Sequence, residues 1–258
     1  MRLYSGVYKS YKTALNHSKL NVFEESNYEQ KQKQIIKSIL NSLNKNKKIS
    51  PFYFQHTKNM TNWVNSIKKK KVRILDFGGG WGVGYVNLIE RLKNKKLKDV
   101  EYHIYDLKNI CEIANNLFNK KPKINNQITY HHNFKTFKYK KFDLVFLGSC
   151  LQYSKDVEKT LELIKKLDTK NIMLIDVYAG EIPSFCTLQN YYKQKIPHWF
   201  LNYSYLNNFF KKKFNLVYQG ISDTSRLGII GRLDMSNFKK KYRLGHSLNL
   251  IYQKKSWS

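Results

Sequence analysis

The sequence predicts a doubly wound α/β fold: a seven-stranded, mostly parallel sheet with helices on both faces, preceded by an N-terminal helical cap. Three observations predict it. From residue 71 onward, short apolar runs alternate with amphipathic segments, the pattern of βα units built on a parallel sheet. One run, VRILDFGGGWGVG at residues 72–84, passes from a strand directly into a glycine-rich turn. At 258 residues and 30.8 kDa the chain is long enough for one well-buried α/β domain with an appendage, and short for two enzymatic domains.

Residues 1–70 form the expected cap, largely helical. A helix over Tyr28 to Asn44 puts Ile35, Ile36, Ile39, Leu40 and Leu43 at helical spacing. Ser50-Pro51 reads as a turn-like break, and Thr57 to Lys69 as a shorter helix with Trp63, Val64 and Ile67 on its apolar face. Residues 71–258 form the main domain. Strands are expected at Arg73 to Phe77, Glu101 to Tyr105, Ile128 to His131, Leu144 to Leu147 and Ile172 to Val177. Helices fall between them, at Val83 to Lys95, Lys108 to Asn119 and Lys155 to Leu167. An irregular, aromatic-rich stretch follows residue 178. A helix near Ser204 to Lys212 and two antiparallel strands, near Phe214 to Ile221 and Ser247 to Gln253, complete the set. Insertions are expected near 178–205 and 222–246, and no internal repeat is evident.

Composition excludes several classes. With 41% hydrophobic and 15% aromatic residues the chain is not disordered, and its apolar runs are too short to cross a bilayer. The start, MRLYSGVYKS, lacks the apolar run of a signal peptide, which implies a cytoplasmic location. Cys111, Cys150 and Cys186 are odd in number and widely spaced, as free thiols are. The net charge of +29 suggests nucleic acid, but lysines recur throughout without one dominant stripe. Abundant Asn, Ile, Tyr and Phe beside Lys point to coding bias instead. Nucleic acid is therefore not the favoured partner, although a positive field would attract any small anionic substrate.

In DFGGGWG, glycines 78, 79, 80 and 82 let the backbone turn tightly and approach a ligand, and the next helix presents its N-terminal amides. In an open α/β sheet this strand end is where nucleotides bind. The dinucleotide pattern G-x-G-x-x-G fails from each usable start, ending on Val83, Tyr85 or Asn87. A P-loop fails too, for want of Gly-Lys-Ser/Thr. Asp76, just before the glycines, would repel a pyrophosphate but suits a sulfonium with an α-ammonium; the alternative is a carboxylate that caps the turn. Asp106 ends the next strand at roughly the 20-residue spacing of a ribose-hydroxyl ligand. It reads equally as a cap of the helix starting near Lys108.

These motifs, with IYD after the second strand and FDLVFLGSCLQY around the fourth, resemble the class I S-adenosylmethionine-dependent methyltransferases over about residues 70–255. The segments YSGVYKSYKTA, GSCLQYSKD, TLQ and IPHWF resemble a methyltransferase subgroup associated with bacterial surface-polysaccharide synthesis. The resemblance implies a Rossmann-like fold, S-adenosylmethionine as cofactor, and Asp76, Gly78, Gly79, Gly80, Gly82, Asp106 and Ser149 as its ligands. The sequence departs from the class in ending its third strand on YHHN, where an acidic residue near the adenine is usual.

Methyl transfer chiefly needs alignment and exclusion of water, and transfer to a hydroxyl also needs a base. The candidates are His131, His132, His198, His246 and Asp176, with His198 and Asp176 favoured as catalytic; in the competing reading His198 only packs against Trp199. Gln152, Tyr153, Thr187, Gln189 and Trp199 are expected to contact the acceptor. The surrounding aromatic residues, Phe185, Tyr191, Tyr192, Phe200, Tyr203 and Tyr205, read mainly as core. Arg226, with Arg232, is a candidate for gripping a phosphate. No carboxylate cluster suggests a metal. The expected activity is O-methylation of a small anionic intermediate of surface-carbohydrate assembly, such as a nucleotide-linked sugar. Its rivals are an RNA or protein methyltransferase and a non-catalytic nucleotide-binding scaffold.

Overall fold

Seven strands form one sheet in the order β10-β11-β6-β5-β2-β3-β4, where β2 is Val72–Phe77, β3 Val100–Tyr105, β4 Ile128–His131, β5 Lys141–Gly148, β6 Asp168–Val177, β10 Phe214–Ile221 and β11 Leu248–Lys254. The computed structural model describes residues 3–18, 26–44, 56–92, 100–119, 127–137, 141–191, 194–222 and 233–255. All seven strands coincide with those expected, within a few residues at their ends. The β2, β3, β4 and β5 pairings are parallel, and β10 runs antiparallel to β11, the last strand in sequence, which lies inside β10 in the sheet. Central strands carry near-continuous apolar runs because both faces are covered: Ile74, Leu75, Leu144 and Val145 are all fully buried. The chain leaves β2 toward β3 and β4, then returns as β5 on the other flank of β2. That reversal is a topological switch point, and ligands in such sheets bind at the strand ends beside it.

The chain divides into two compact units, and their boundaries differ from the expected division at residue 70. One unit comprises Glu29–Gly148 and Leu167–Met173. Here α2 (Ser26–Asn44) buries Ile36, Ile39 and Leu40, and α3 (Lys58–Ser66) buries Met60, Thr61 and Val64, leaving Trp63 and Ile67 half-covered. The polar residue on that face, Thr61, is explained by α4 (Val83–Leu92). Asn87 Nδ2 donates to Thr57 Oγ1 (2.5 Å) and Thr61 Oγ1 (3.2 Å), while Arg91 Nε donates to Asn87 Oδ1 (3.0 Å). The helix α5 (Lys108–Asn119) packs Phe118 against Tyr130 of β4 and Tyr85 of α4.

The other unit comprises Met1–Tyr28, Ser149–Lys166 and Leu174–Ser258. It contains α1 (Tyr11–Asn16), α6 (Val157–Lys166), α7 (Tyr203–Lys211) and a second sheet absent from the sequence reading. Its order is β1-β8-β9-β7, with β1 at Tyr4–Tyr8, β7 at Ala179–Gly180, β8 at Phe185–Tyr191 and β9 at Gln194–Asn202. The stretch after residue 178 is thus a hairpin and not irregular, and the chain start contributes a strand. Two physical reasons hide them from a sequence reading. Both faces of the hairpin are covered, by Tyr4, Tyr178 and Phe238 among others on one side and Ala14 with Tyr8 on the other, so no period-two alternation survives. Pro197 also argues against a strand, yet it pairs with Leu188 where β9 has a neighbour only on the β8 side, since β7 pairs no earlier than Leu201. No helix among the described residues is long and apolar enough to cross a membrane. Cys111, Cys150 and Cys186 form no disulfide.

Candidate functional site

The glycine turn closes over a buried carboxylate. Asp76 sits on the central strand, 3% exposed, and accepts a 2.5 Å hydrogen bond at Oδ2 from Tyr102 Oη of β3. Burial pushes its pKa up to about 7, against the Tyr102 hydrogen bond and with a further push from the charge of Asp106. The turn then folds back so tightly that a Cβ on Gly79 would stand 2.6 Å from Asp76 Cγ. Gly82 has φ +84°, and a Cβ there would meet Tyr130 Oη at 2.7 Å, so both its conformation and its surroundings demand glycine. Gly78 and Gly80 also take positive φ, and the space beside Gly80 is open. Trp81 is buried with its indole Nε1 lacking a hydrogen-bond partner.

Asp106 follows β3 and binds the turn directly: Oδ2 accepts from Gly80 N and Oδ1 from Leu107 N, both at 2.7 Å. Burial raises its pKa, opposed by these two backbone bonds. The carboxylate thus ties the start of its own loop to the glycine turn. Past β4, His131 Nε2 lies 3.1 Å from His103 Nδ1, His132 is exposed, and Asn133 Oδ1 caps the short turn Phe134–Thr136 by accepting from Lys135 N.

In the other unit a second polar assembly forms where β5 and β6 end. Ser149 and Asp176 have φ of 55° and 56°, the only positive-φ residues other than glycine among those described. Such backbones cost roughly 1–3 kcal/mol each and persist where surrounding structure enforces them. Here the enforcement is visible. Asp176, 1% exposed, accepts from Ser149 Oγ (2.9 Å), Ser222 Oγ (2.9 Å) and Ser247 Oγ (2.5 Å), and its amide donates to Asn249 Oδ1 (3.0 Å). Gln152 Nε2 donates to the same Ser149 Oγ, while its Oε1 is buried without a partner.

Next to this network the second sheet presents one face bearing Tyr4, Thr187, Gln189 and His198, which the register aligns as Tyr4↔Gln189 and Thr187↔His198. His198 is fully buried among the rings of Tyr178 (4.5 Å), Tyr4 (5.1 Å), Phe200 (5.1 Å) and Tyr153 (5.3 Å). Both its ring nitrogens lack hydrogen-bond partners, and the Tyr4 hydroxyl lies beside Tyr178 and Gln189. Burial holds the His198 pKa down at about 3, so the imidazole is neutral. Trp199 points to the opposite face and donates Nε1 to Ser154 O at 3.0 Å, so the expected alternative of His198 packing on Trp199 gives way to an aromatic cage. Thr187 spends its hydroxyl on the β1 carbonyls of Ser5 and Gly6, fastening that strand. Tyr153 Oη donates to Gln189 Oε1 at 2.9 Å. Arg226 and Arg232 lie outside the described residues.

Several of these groups escape a sequence reading. Tyr4 belongs to a strand that the sequence does not announce. Tyr178, Ser222, Ser247 and Asn249 lie at or beside the ends of strands that it does, but nothing local marks them. Tyr102 carries a signal, because its register opposite Ile74 in a parallel pair puts it on the same sheet face as residue 76.

No protein-family model and no curated protein sequence matches the chain. Among solved structures, it is similar to a chain of the complex between the Haloferax volcanii Trm112 methyltransferase activator and a methyltransferase, with TM-score 0.50 and 13% identity over 80% of this chain and 91% of that one. It is also similar to magnesium protoporphyrin IX methyltransferase from Synechocystis PCC 6803 (TM-score 0.49, 11% identity, 78% and 83% covered). An S-adenosylmethionine-dependent methyltransferase from Clostridium acetobutylicum gives 0.49, 12%, 86% and 99%. At such identities the likeness shows the fold, and the chain has the Rossmann-like fold of methyltransferases.

Proposed function

We propose that the chain is an S-adenosylmethionine-dependent methyltransferase that O-methylates a small anionic intermediate of surface-carbohydrate assembly, of the kind exemplified by a nucleotide-linked sugar. The observation that carries the cofactor assignment is the clamp of Asp106 on the Gly80 amide above a buried Asp76. The Asp76 carboxylate directly before the turn disfavours a pyrophosphate there and Asp106 suits a ribose hydroxyl, which together favour a cationic, hydroxyl-bearing ligand. The residues fit it: each Asp106 oxygen keeps a lone pair beyond its backbone bond, Gly80 borders open space, and Trp81 Nε1 is a donor without a partner. S-adenosylmethionine supplies, when bound, a methyl carbon on a sulfonium that an acceptor oxygen can displace in line.

The acceptor assignment rests on His198 and Gln152, whose unpartnered polar atoms suit a hydroxyl-rich ligand. His198, with its pKa held down at about 3, is a poor proton acceptor, so its proposed part is to hydrogen-bond and orient the attacking hydroxyl, whose proton leaves to solvent as the sulfonium is displaced. Asp176, saturated by three serine hydroxyls, acts as a positioning residue that orients Ser149 and through it Gln152. Titration calorimetry with S-adenosylhomocysteine tests the cofactor, and absence of binding would overturn the reading. Transfer of labelled methyl from S-adenosylmethionine to nucleotide-linked sugars tests the acceptor. Label appearing only in RNA or protein would sink that half. His198→Ala is expected to lower kcat about tenfold or more through loss of the oriented hydroxyl.

A further inference from the structure

Outside both assemblies, a groove of about 330 Å³ opens beside β1, lined by Gly6, Val7, Asn237, Phe238, Lys239, Lys241 and Tyr242. That volume is at the lower end of the range for small-molecule sites, roughly 300–1,000 Å³. Its chemistry is two-sided. Val7, 43% exposed, and the ring of Tyr242 offer apolar surface, while Lys239 and Lys241 are exposed ammonium groups at the rim. Lys241 Nζ stands 5.2 Å from the Tyr242 ring centroid, within cation–π range, so ring and charge are presented together. Asn237 is fixed by donating Nδ2 to Tyr4 O at 3.0 Å, which leaves its Oδ1 without a partner.

The loop that carries these groups is pre-formed. Arg243 clasps it from within, Nε donating to Phe238 O (2.8 Å) and Nη2 to Ser236 O (2.9 Å). Asp234, the acidic group on this loop, is engaged by the Ser236 amide and hydroxyl. Tyr242 is held edge-on against Phe185 with centroids 5.0 Å apart. A groove with a rigid aromatic wall and two rim cations matches a sugar ring stacked on the aromatic face with an anionic group at the rim.

We propose that the groove beside β1 is a binding site for a phosphorylated saccharide, its phosphate held by Lys239 and Lys241 and its sugar ring on Tyr242. Binding there does not depend on the methyl-transfer reading. The test uses the full chain at low salt, with calorimetric titration of glucose 1-phosphate, glucose and inorganic phosphate. Glucose 1-phosphate is expected to bind at least tenfold more tightly than either fragment, and Lys239→Glu/Lys241→Glu to weaken it at least tenfold. Both lysines are exposed, so the double variant keeps its fold, checked by unchanged S-adenosylhomocysteine binding and thermal midpoint. Equal binding of phosphate alone would overturn the saccharide half, and wild-type affinity in the charge-reversed variant would overturn the site. Failure of the wild-type chain to bind S-adenosylhomocysteine would instead count against methyl transfer and leave the groove untouched.

Discussion

Replacing Asp76 by Asn tests the electrostatics of the glycine turn with little change of shape. The amide keeps an acceptor for the Tyr102 hydroxyl but cannot ionise. In the folded chain the Asp76 pKa is raised from 3.8 to about 7 by burial. A raised folded pKa means that the contribution to stability is fully present below the unfolded pKa, near 4, and is lost as pH rises to 7. At 1.36 kcal/mol per unit the full loss is about 4 kcal/mol, of which about 2–3 kcal/mol falls between pH 5 and pH 8. The Asp76→Asn variant, with nothing to ionise at this position, is spared that loss. Urea denaturation of both proteins at pH 5, 6, 7 and 8 should therefore show the variant gaining on the wild type by about 2–3 kcal/mol across that span, since titrating groups remote from Asp76 cancel in the difference. A cationic cofactor supplies the reverse pull: wild-type affinity for S-adenosylmethionine should rise as pH passes through 7, and the affinity of Asp76→Asn should stay flat. A stability gap that does not change between pH 5 and 8 would mean that Asp76 is already ionised in the folded chain, and the assignment of burial as the dominant influence would be wrong.

Asp106→Ala should weaken S-adenosylhomocysteine binding at least tenfold in calorimetry, because it strips Gly80 of its partner and removes the carboxylate proposed to hold the ribose. Asp176→Ala should lower stability by about 3 kcal/mol or more in chemical denaturation, since hydrogen bonds to a charged group are worth about 1.5–3 kcal/mol each and three serine hydroxyls lose theirs. Gly84→Ala should destabilise although it gains about 1 kcal/mol of helix propensity, because the new Cβ would collide with Tyr102 Oη and lie 2.9 Å from Asp76 Oδ2; a rise in thermal midpoint would refute this. His198→Phe should raise stability by about 1 kcal/mol in urea denaturation by removing two unpaired buried nitrogens, while slowing methyl transfer.

The parts of the molecule that can be read from sequence are those whose cause is local. The seven strands of the main sheet are runs of apolar residues bounded by turns, and the glycine turn betrays itself because Asp76 is chemically odd next to four glycines. Asp106 follows from the spacing of the next strand. The second sheet has no local cause. Its β1 and β8 meet across most of the chain, with Thr187 Oγ1 bonded to carbonyls 181 and 182 residues away, and Gly6 and Pro197 both argue against strand at short range. The Asp176 network is equally non-local, drawing on Ser222, Ser247 and Asn249 at separations of 46, 71 and 73 residues. His198 makes the difference plain. As a letter in IPHWF it is one histidine of seven, and the neighbouring Trp199 is its obvious companion. Strand alternation sends the two to opposite faces, and what surrounds His198 instead comes from residues 4, 153, 178 and 200. A neutral imidazole with both nitrogens unpaired in an aromatic cage costs stability, and the proposed contact with the acceptor is a role that would offset that cost.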